Sequence, residues 1–92
     1  MYASYINIKL KPGKISEMKA ITEEIETEIR NIGFKQFLVI DQGDNNILIM
    51  AIYESAAEQE AATPKAQAAL GKYANLVAEA PIRKQVEVLF NY

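Results

Sequence analysis

The sequence predicts an α+β domain in which one antiparallel sheet carries both helices on a single face. Two observations lead there. Apolar periodicity runs at two in the first segment, shifts to steps of three and four, and returns to two for a pair of segments; it then shifts again before a final strand. The middle strands are also apolar on both sides. In Phe34 to Ile40, Phe34, Leu38 and Ile40 fall on one side and Phe37 and Val39 on the other, while Ile47 to Tyr53 is apolar at every position. A chain of 92 residues has helices enough to cover one face. The other needs a partner, and the simplest is a second copy of the chain.

Each element follows from local chemistry. Tyr2 to Leu10 reads as a strand, with Ile6, Ile8 and Leu10 opposite Tyr5, Asn7 and Lys9. Pro12-Gly13 ends it, because proline has no N–H for a ladder and the pair favours a turn. From Ile15 the residues Ile15, Met18, Ile21 (or Thr22), Ile25, Ile29 and Ile32 keep helical spacing, opposite Glu17, Glu24 and Glu28 with Lys14 and Lys19. Gly33 supplies a left-handed stop. Phe34 to Asp41 and Ile47 to Tyr53 are the next strands, joined by Gln42-Gly43-Asp44-Asn45-Asn46, whose residues tolerate positive φ. Ser55 and Glu58 fit a capping box that opens a short helix. Thr63-Pro64 is then expected to restart it, with threonine as the cap and proline at the first helical position. Ala66, Ala69, Leu70, Tyr73, Leu76, Val77 and Ala80 form its inward stripe, up to Pro81. Ile82 to Asn91 is the last strand, Lys84, Val86, Val88 and Phe90 lying opposite Arg83, Gln85, Glu87 and Leu89. Strand, helix, strand, strand, helix, strand is the split βαβ order of ferredoxin-like folds. Residues 1–92 form one domain.

Composition excludes several chemistries. No cysteine means no disulfide, no thiolate catalysis and no Fe–S ligation; no histidine removes the usual acid/base group and the commonest metal and haem ligand. No metal site or cofactor is expected. Glu23, Glu24, Glu26 and Glu28 are dense, but without histidine they read as a solvated helix face. A net charge of −2 offers no basic patch for nucleic acid. No apolar run nears the ~20 residues that span a bilayer, and the first residues lack a signal-peptide layout. A cytoplasmic protein is expected.

Three stretches resemble the antibiotic biosynthesis monooxygenase-like group of dimeric α+β barrel proteins. They are Ile6 to Lys14, a strand running into a proline-glycine turn; Ile52-Tyr53-Glu54-Ser55, before an alanine-rich helix; and Ala78-Glu79-Ala80-Pro81, before the last strand. The resemblance covers nearly the whole chain. It implies a homodimer whose two sheets pack into a barrel, and a small pocket between sheet and helices in each subunit. It also implies a cofactor-independent monooxygenase on a small aromatic, quinol-like metabolite. A branch of the family degrades haem, but that chemistry needs a tryptophan and a haem-ligating histidine, and neither is present. A non-catalytic small-molecule-binding or structural dimer domain is the alternative.

Candidate catalytic residues are Asn7, Tyr53 and Tyr73. Asn7 is a carboxamide in mid-strand, either in the pocket or else a satisfied or interfacial asparagine. Tyr53 and Tyr73 could approach one cavity and position a phenolic substrate or donate to an oxyanion; otherwise each is a core aromatic. Candidate substrate-binding residues are Phe37 and Met50 as walls and Lys9 and Arg83 as cations beside a phenolate. Their plainer roles are core packing and surface ion pairing.

Overall fold

The computed structural model describes all 92 residues. Four strands, β1 (Tyr2–Lys9), β2 (Gln36–Asp41), β3 (Asn46–Tyr53) and β4 (Arg83–Glu87), form an antiparallel sheet in the order β2-β3-β1-β4. Helices α1 (Ile15–Glu24) and α2 (Glu26–Arg30) connect β1 to β2, and α3 (Ala56–Gly71) precedes β4. This is the ferredoxin-like arrangement expected from the sequence.

Register sorts the side chains. Ser4 lies opposite Ala51, Ile6 opposite Ile49 and Ile8 opposite Ile47. These residues share a face with Tyr53, and all are buried in the core together with Met18, Ile25 and Ile29 of the first helical segment and Ala62, Ala66 and Ala69 of α3. The other face carries Tyr5 and Asn7 of β1, Leu48, Met50 and Ile52 of β3, Leu38 and Ile40 of β2, and Val86 of β4. No element of the chain covers it, and Leu38, Ile40 and Val86 remain 39%, 40% and 40% exposed. The sheet is therefore apolar on both sides with one side open.

Several boundaries depart from expectation. The single helix from Ile15 is divided at Ile25 (φ −98°, ψ 19°), although the apolar stripe continues through the break. Phe34 precedes β2 and is not on the face of Leu38; its ring stacks on Phe37 at 5.1 Å, toward the helices. Pro64 does not restart a helix but sits inside α3. The missing N–H falls four residues after Glu60, an exposed position where water can serve the freed carbonyl, and Thr63 Oγ1 bonds back to Gln59 O at 3.2 Å. Ser55 does cap α3, accepting from the Glu58 N–H at 3.2 Å.

The end of α3 has a clear cause. After Gly71 the backbone tightens into three-residue turns, and the chain is then captured by the far end of β1: Lys11 N donates to Leu76 O at 2.8 Å and Ala78 N to Lys9 O at 2.7 Å. Residues 76–78 thus occupy the edge that a longer β4 would need. That strand rejoins only at Arg83, opposite Ile6. It stops at Glu87, opposite Tyr2, because β1 runs out; Val88 N reaches Met1 O and the remaining residues have no strand to pair with.

Candidate functional site

Between the sheet and the helices lies an apolar cavity of about 40 Å³ walled by Ile6, Ile49, Phe37, Ile29, Ala66 and Ala69. Tyr53, Tyr73, Ser4 and Arg83 also line it. Outside it, the segment that bulges between residues 78 and 82 borders an open cleft of about 840 Å³ with Leu70, Ala74, Val77 and Pro81. Ile6, Leu70 and Arg83 belong to both spaces and mark their junction.

The two tyrosines differ in hydrogen bonding. Tyr73, 4% exposed, has its hydroxyl 2.7 Å from Thr22 Oγ1, and Thr22 gives its own proton to Met18 O at 2.8 Å. The tyrosine must therefore donate to the threonine. Burial pushes its pKa upward, and the bond to Thr22 only partly opposes that. Tyr73 is a neutral phenol whose proton is already placed. Tyr53 is 1% exposed and lines the cavity, yet its hydroxyl has no protein partner; since no fully enclosed side-chain oxygen or nitrogen lacks one, this oxygen keeps a sliver of open surface. Its O–H is free to donate.

Arg83 projects from β4 on the helix side. Its two terminal nitrogens donate to Thr63 Oγ1 at 2.9 Å and Ser4 Oγ at 2.8 Å. No carboxylate pairs with it. Ser4 also accepts from Gln59 Nε2 at 3.1 Å, and the same amide reaches Ala3 O at 2.7 Å, tying α3 to β1.

Of the residues singled out from sequence, the structure gathers Tyr53, Tyr73, Phe37 and Arg83 around one cavity. Asn7, Met50 and Lys9 are not brought to it: their register puts them on the open face, with the sheet between. Asn7 Oδ1 accepts from Gln42 Nε2 at 3.0 Å, and Lys9 Nζ donates to Asp44 O at 3.1 Å, so both brace the β2–β3 loop. Strand parity explains the split, since Asn7 alternates with Ile6 and Ile8. Sequence reasoning missed Ser4, Gln59 and Thr63. Ser4 shares the parity of Ile6, and Gln59 the helical face of Ala62 and Ala66, so both were marked as polar groups at core positions. No three His, Cys, Asp or Glu side chains gather where they could hold a metal. No helix is long and apolar enough to cross a membrane.

No protein-family model and no curated protein matches the chain. Solved structures do. A Nitrosomonas europaea protein of unknown function superposes with a TM-score of 0.81 at 17% identity, covering 99% of this chain and 91% of its own. A second Nitrosomonas europaea protein, provisionally named an antibiotic biosynthesis monooxygenase, gives a TM-score of 0.78 at 18% identity over 98% and 100% of the two chains. A Caulobacter crescentus protein with the same provisional name gives 0.75 at 15% identity over 97% and 90%. The chain shares the complete fold of these proteins.

Proposed function

We propose that this protein is a homodimeric, cofactor-independent monooxygenase of the antibiotic biosynthesis monooxygenase type, acting on a small aromatic, quinol-like metabolite. The observation that carries the reading is Arg83, which no carboxylate neutralises and which borders both the open cleft and the apolar cavity that Tyr53 also lines. Similarity of fold to proteins bearing that name supports it. The open sheet face supports the dimer, because an apolar face of this extent is stabilised by a second copy.

Size assigns the spaces. A cavity of about 150 Å³ is known to hold benzene, so the 40 Å³ cavity does not take an aromatic ring. The 840 Å³ cleft falls within the roughly 300–1,000 Å³ of ordinary ligand sites. The ring lies in the cleft with a polar oxygen directed past Arg83 into the cavity that Tyr53 lines. A phenol so held gives up its proton more readily beside the guanidinium. The resulting electron-rich ring can itself reduce dioxygen. A ring-flanked CH2 loses two hydrogens and gains one oxygen, and the second oxygen leaves as water, so no external reductant is required. In this reading Tyr53 and Arg83 contact substrate, Phe37 and Tyr73 wall the cavity, and Asn7, Lys9 and Met50 belong to the dimer face.

One observation favours the alternative, a ligand-binding domain without turnover. Tyr73 has its proton committed to Thr22 and there is no histidine, so no obvious base stands in the site. Oxygen uptake decides between them. The oxygenase reading predicts uptake with a hydroquinone or anthrone panel that is unchanged by chelators, with one labelled atom from ¹⁸O₂ in the product. Tight binding of the same compounds without uptake would establish the alternative.

A further inference from the structure

Ser4 is the buried polar group that the oxygenase reading leaves unused. It is 4% exposed and lines the cavity. Its oxygen accepts twice, from Gln59 Nε2 at 3.1 Å and from Arg83 at 2.8 Å, which engages both lone pairs. Its own proton has no acceptor in the protein, because Ser4 Oγ donates to no neighbour. Arg83 presents a matching surplus: two N–H groups bond to Thr63 and Ser4, the rest have no protein acceptor, and no carboxylate neutralises the charge. The threonine and serine hold the guanidinium by neutral oxygens, which fixes its plane without cancelling its charge.

We propose that Ser4, in the cavity, and Arg83, which borders both cavity and cleft, form an anion subsite that selects ligands presenting an ionised oxygen on an apolar body. The proposal rests on the same site as the oxygenase reading and deepens it by naming the charge of the ligand. Three features converge. The two donors come from neighbouring strands and are in contact, Arg83 being paired with Ile6, Ser4 lying two residues before Ile6 on the same face, and the guanidinium reaching Ser4 Oγ at 2.8 Å. The cavity they border is lined mainly by apolar side chains, which strengthens a charge-assisted hydrogen bond formed inside it. The donors are held before a ligand arrives, Ser4 by Gln59 and Arg83 by Thr63, so little ordering is required on binding. A carboxylate and an ionised phenol or enol offer the same anionic oxygen, and the subsite recognises that oxygen in either.

The test uses three probes of similar bulk: benzoate, 4-nitrophenol and benzyl alcohol. Binding is followed by chemical-shift perturbation on the purified protein, and the nitrophenol also by its visible spectrum. Benzoate is expected to perturb Ser4, Ile6 and Arg83 and to bind at least tenfold more tightly than benzyl alcohol. Bound 4-nitrophenol should ionise at lower pH than free. Arg83→Gln should remove both the preference and the spectral shift, Arg83→Lys should restore part of the shift, and Ser4→Ala should weaken benzoate by tenfold or more without altering the alcohol. Shifts confined to surface lysines, equal binding of alcohol and acid, or a preference that survives in the folded R83Q protein would each overturn the subsite. Oxygen consumption plays no part in these readouts. Anion selectivity without uptake would retire the oxygenase reading and leave the subsite standing, and uptake with neutral substrates alone would do the reverse.

Discussion

Replacing each tyrosine by phenylalanine separates a hydroxyl that stabilises the fold from one reserved for a ligand. Tyr73→Phe deletes the bond to Thr22 at 2.7 Å between otherwise buried groups. Thr22 keeps its bond to Met18 O, so no new unsatisfied donor is created and the loss is that of one ordinary hydrogen bond, about 0.5–1.5 kcal/mol. For a domain of this size each kcal/mol moves Tm by roughly 4–8 °C. Tyr53→Phe removes a hydroxyl with no protein partner but with some open surface, so no internal hydrogen bond is lost and the change should stay within about 0.5 kcal/mol. Thermal melts at one fixed protomer concentration make the comparison, since association shifts Tm. Ligand binding should show the opposite order, falling in Tyr53→Phe and holding in Tyr73→Phe. The pH dependence adds a check. Tyr73 has a folded pKa raised above 10.0, so the fold binds its proton more tightly than the unfolded chain does. Its contribution is complete below the unfolded value and is lost as pH rises through the folded one. Wild-type stability should therefore fall more steeply above pH 10.0 than that of Tyr73→Phe. Equal destabilisation by both substitutions would refute the assignment of the free hydroxyl.

Other substitutions test the remaining parts of the account. Met50→Asp places a charge at the centre of the open face, beside Tyr5 and Leu38, and should yield a folded monomer by sedimentation; Val39→Asp, on the helix side beside Ile49, should leave the dimer intact. Pro64→Ala restores an N–H and removes a residue that costs about 3 kcal/mol inside a helix, so Tm should rise, by an amount consistent with about 1–3 kcal/mol. A drop in Tm would mean that α3 needs its proline. Asn7→Ala, on the far side of the sheet from the cavity, should keep ligand binding and any oxygen uptake within twofold of wild type.

Much of the fold was legible because each signal was local and physically redundant. Alternation in Tyr2 to Leu10 marked which side of β1 is buried, and the stripe from Ile15 to Ile32 marked a helical face even across the break at Ile25. Ser55 announced the start of α3 through its side-chain chemistry. What failed depended on tertiary competition. Pro64 reads equally as a first-turn or an interior proline, and solvent access to a carbonyl decides between them. The capture of residues 76–78 by the end of β1, which shortens both α3 and β4, follows from a backbone pairing that no periodicity records. The site was legible only in part for the same reason. Tyr53 and Arg83 line one cavity because β3 and β4 flank β1 with both residues on its helix side, and strand order is not written in any single strand. Asn7 drew notice by its type, whereas Ser4, three residues earlier and of opposite parity, holds the position facing the cavity.

The central claim is that the open face of the sheet is completed by a second copy of the chain. Native mass spectrometry of the purified protein tests it directly. The expected principal species has twice the 10.3 kDa mass at micromolar concentration and is converted to monomer by Met50→Asp. A wild-type protein that stays at 10.3 kDa at that concentration, folded and soluble with Leu38, Ile40 and Val86 in water, would contradict it.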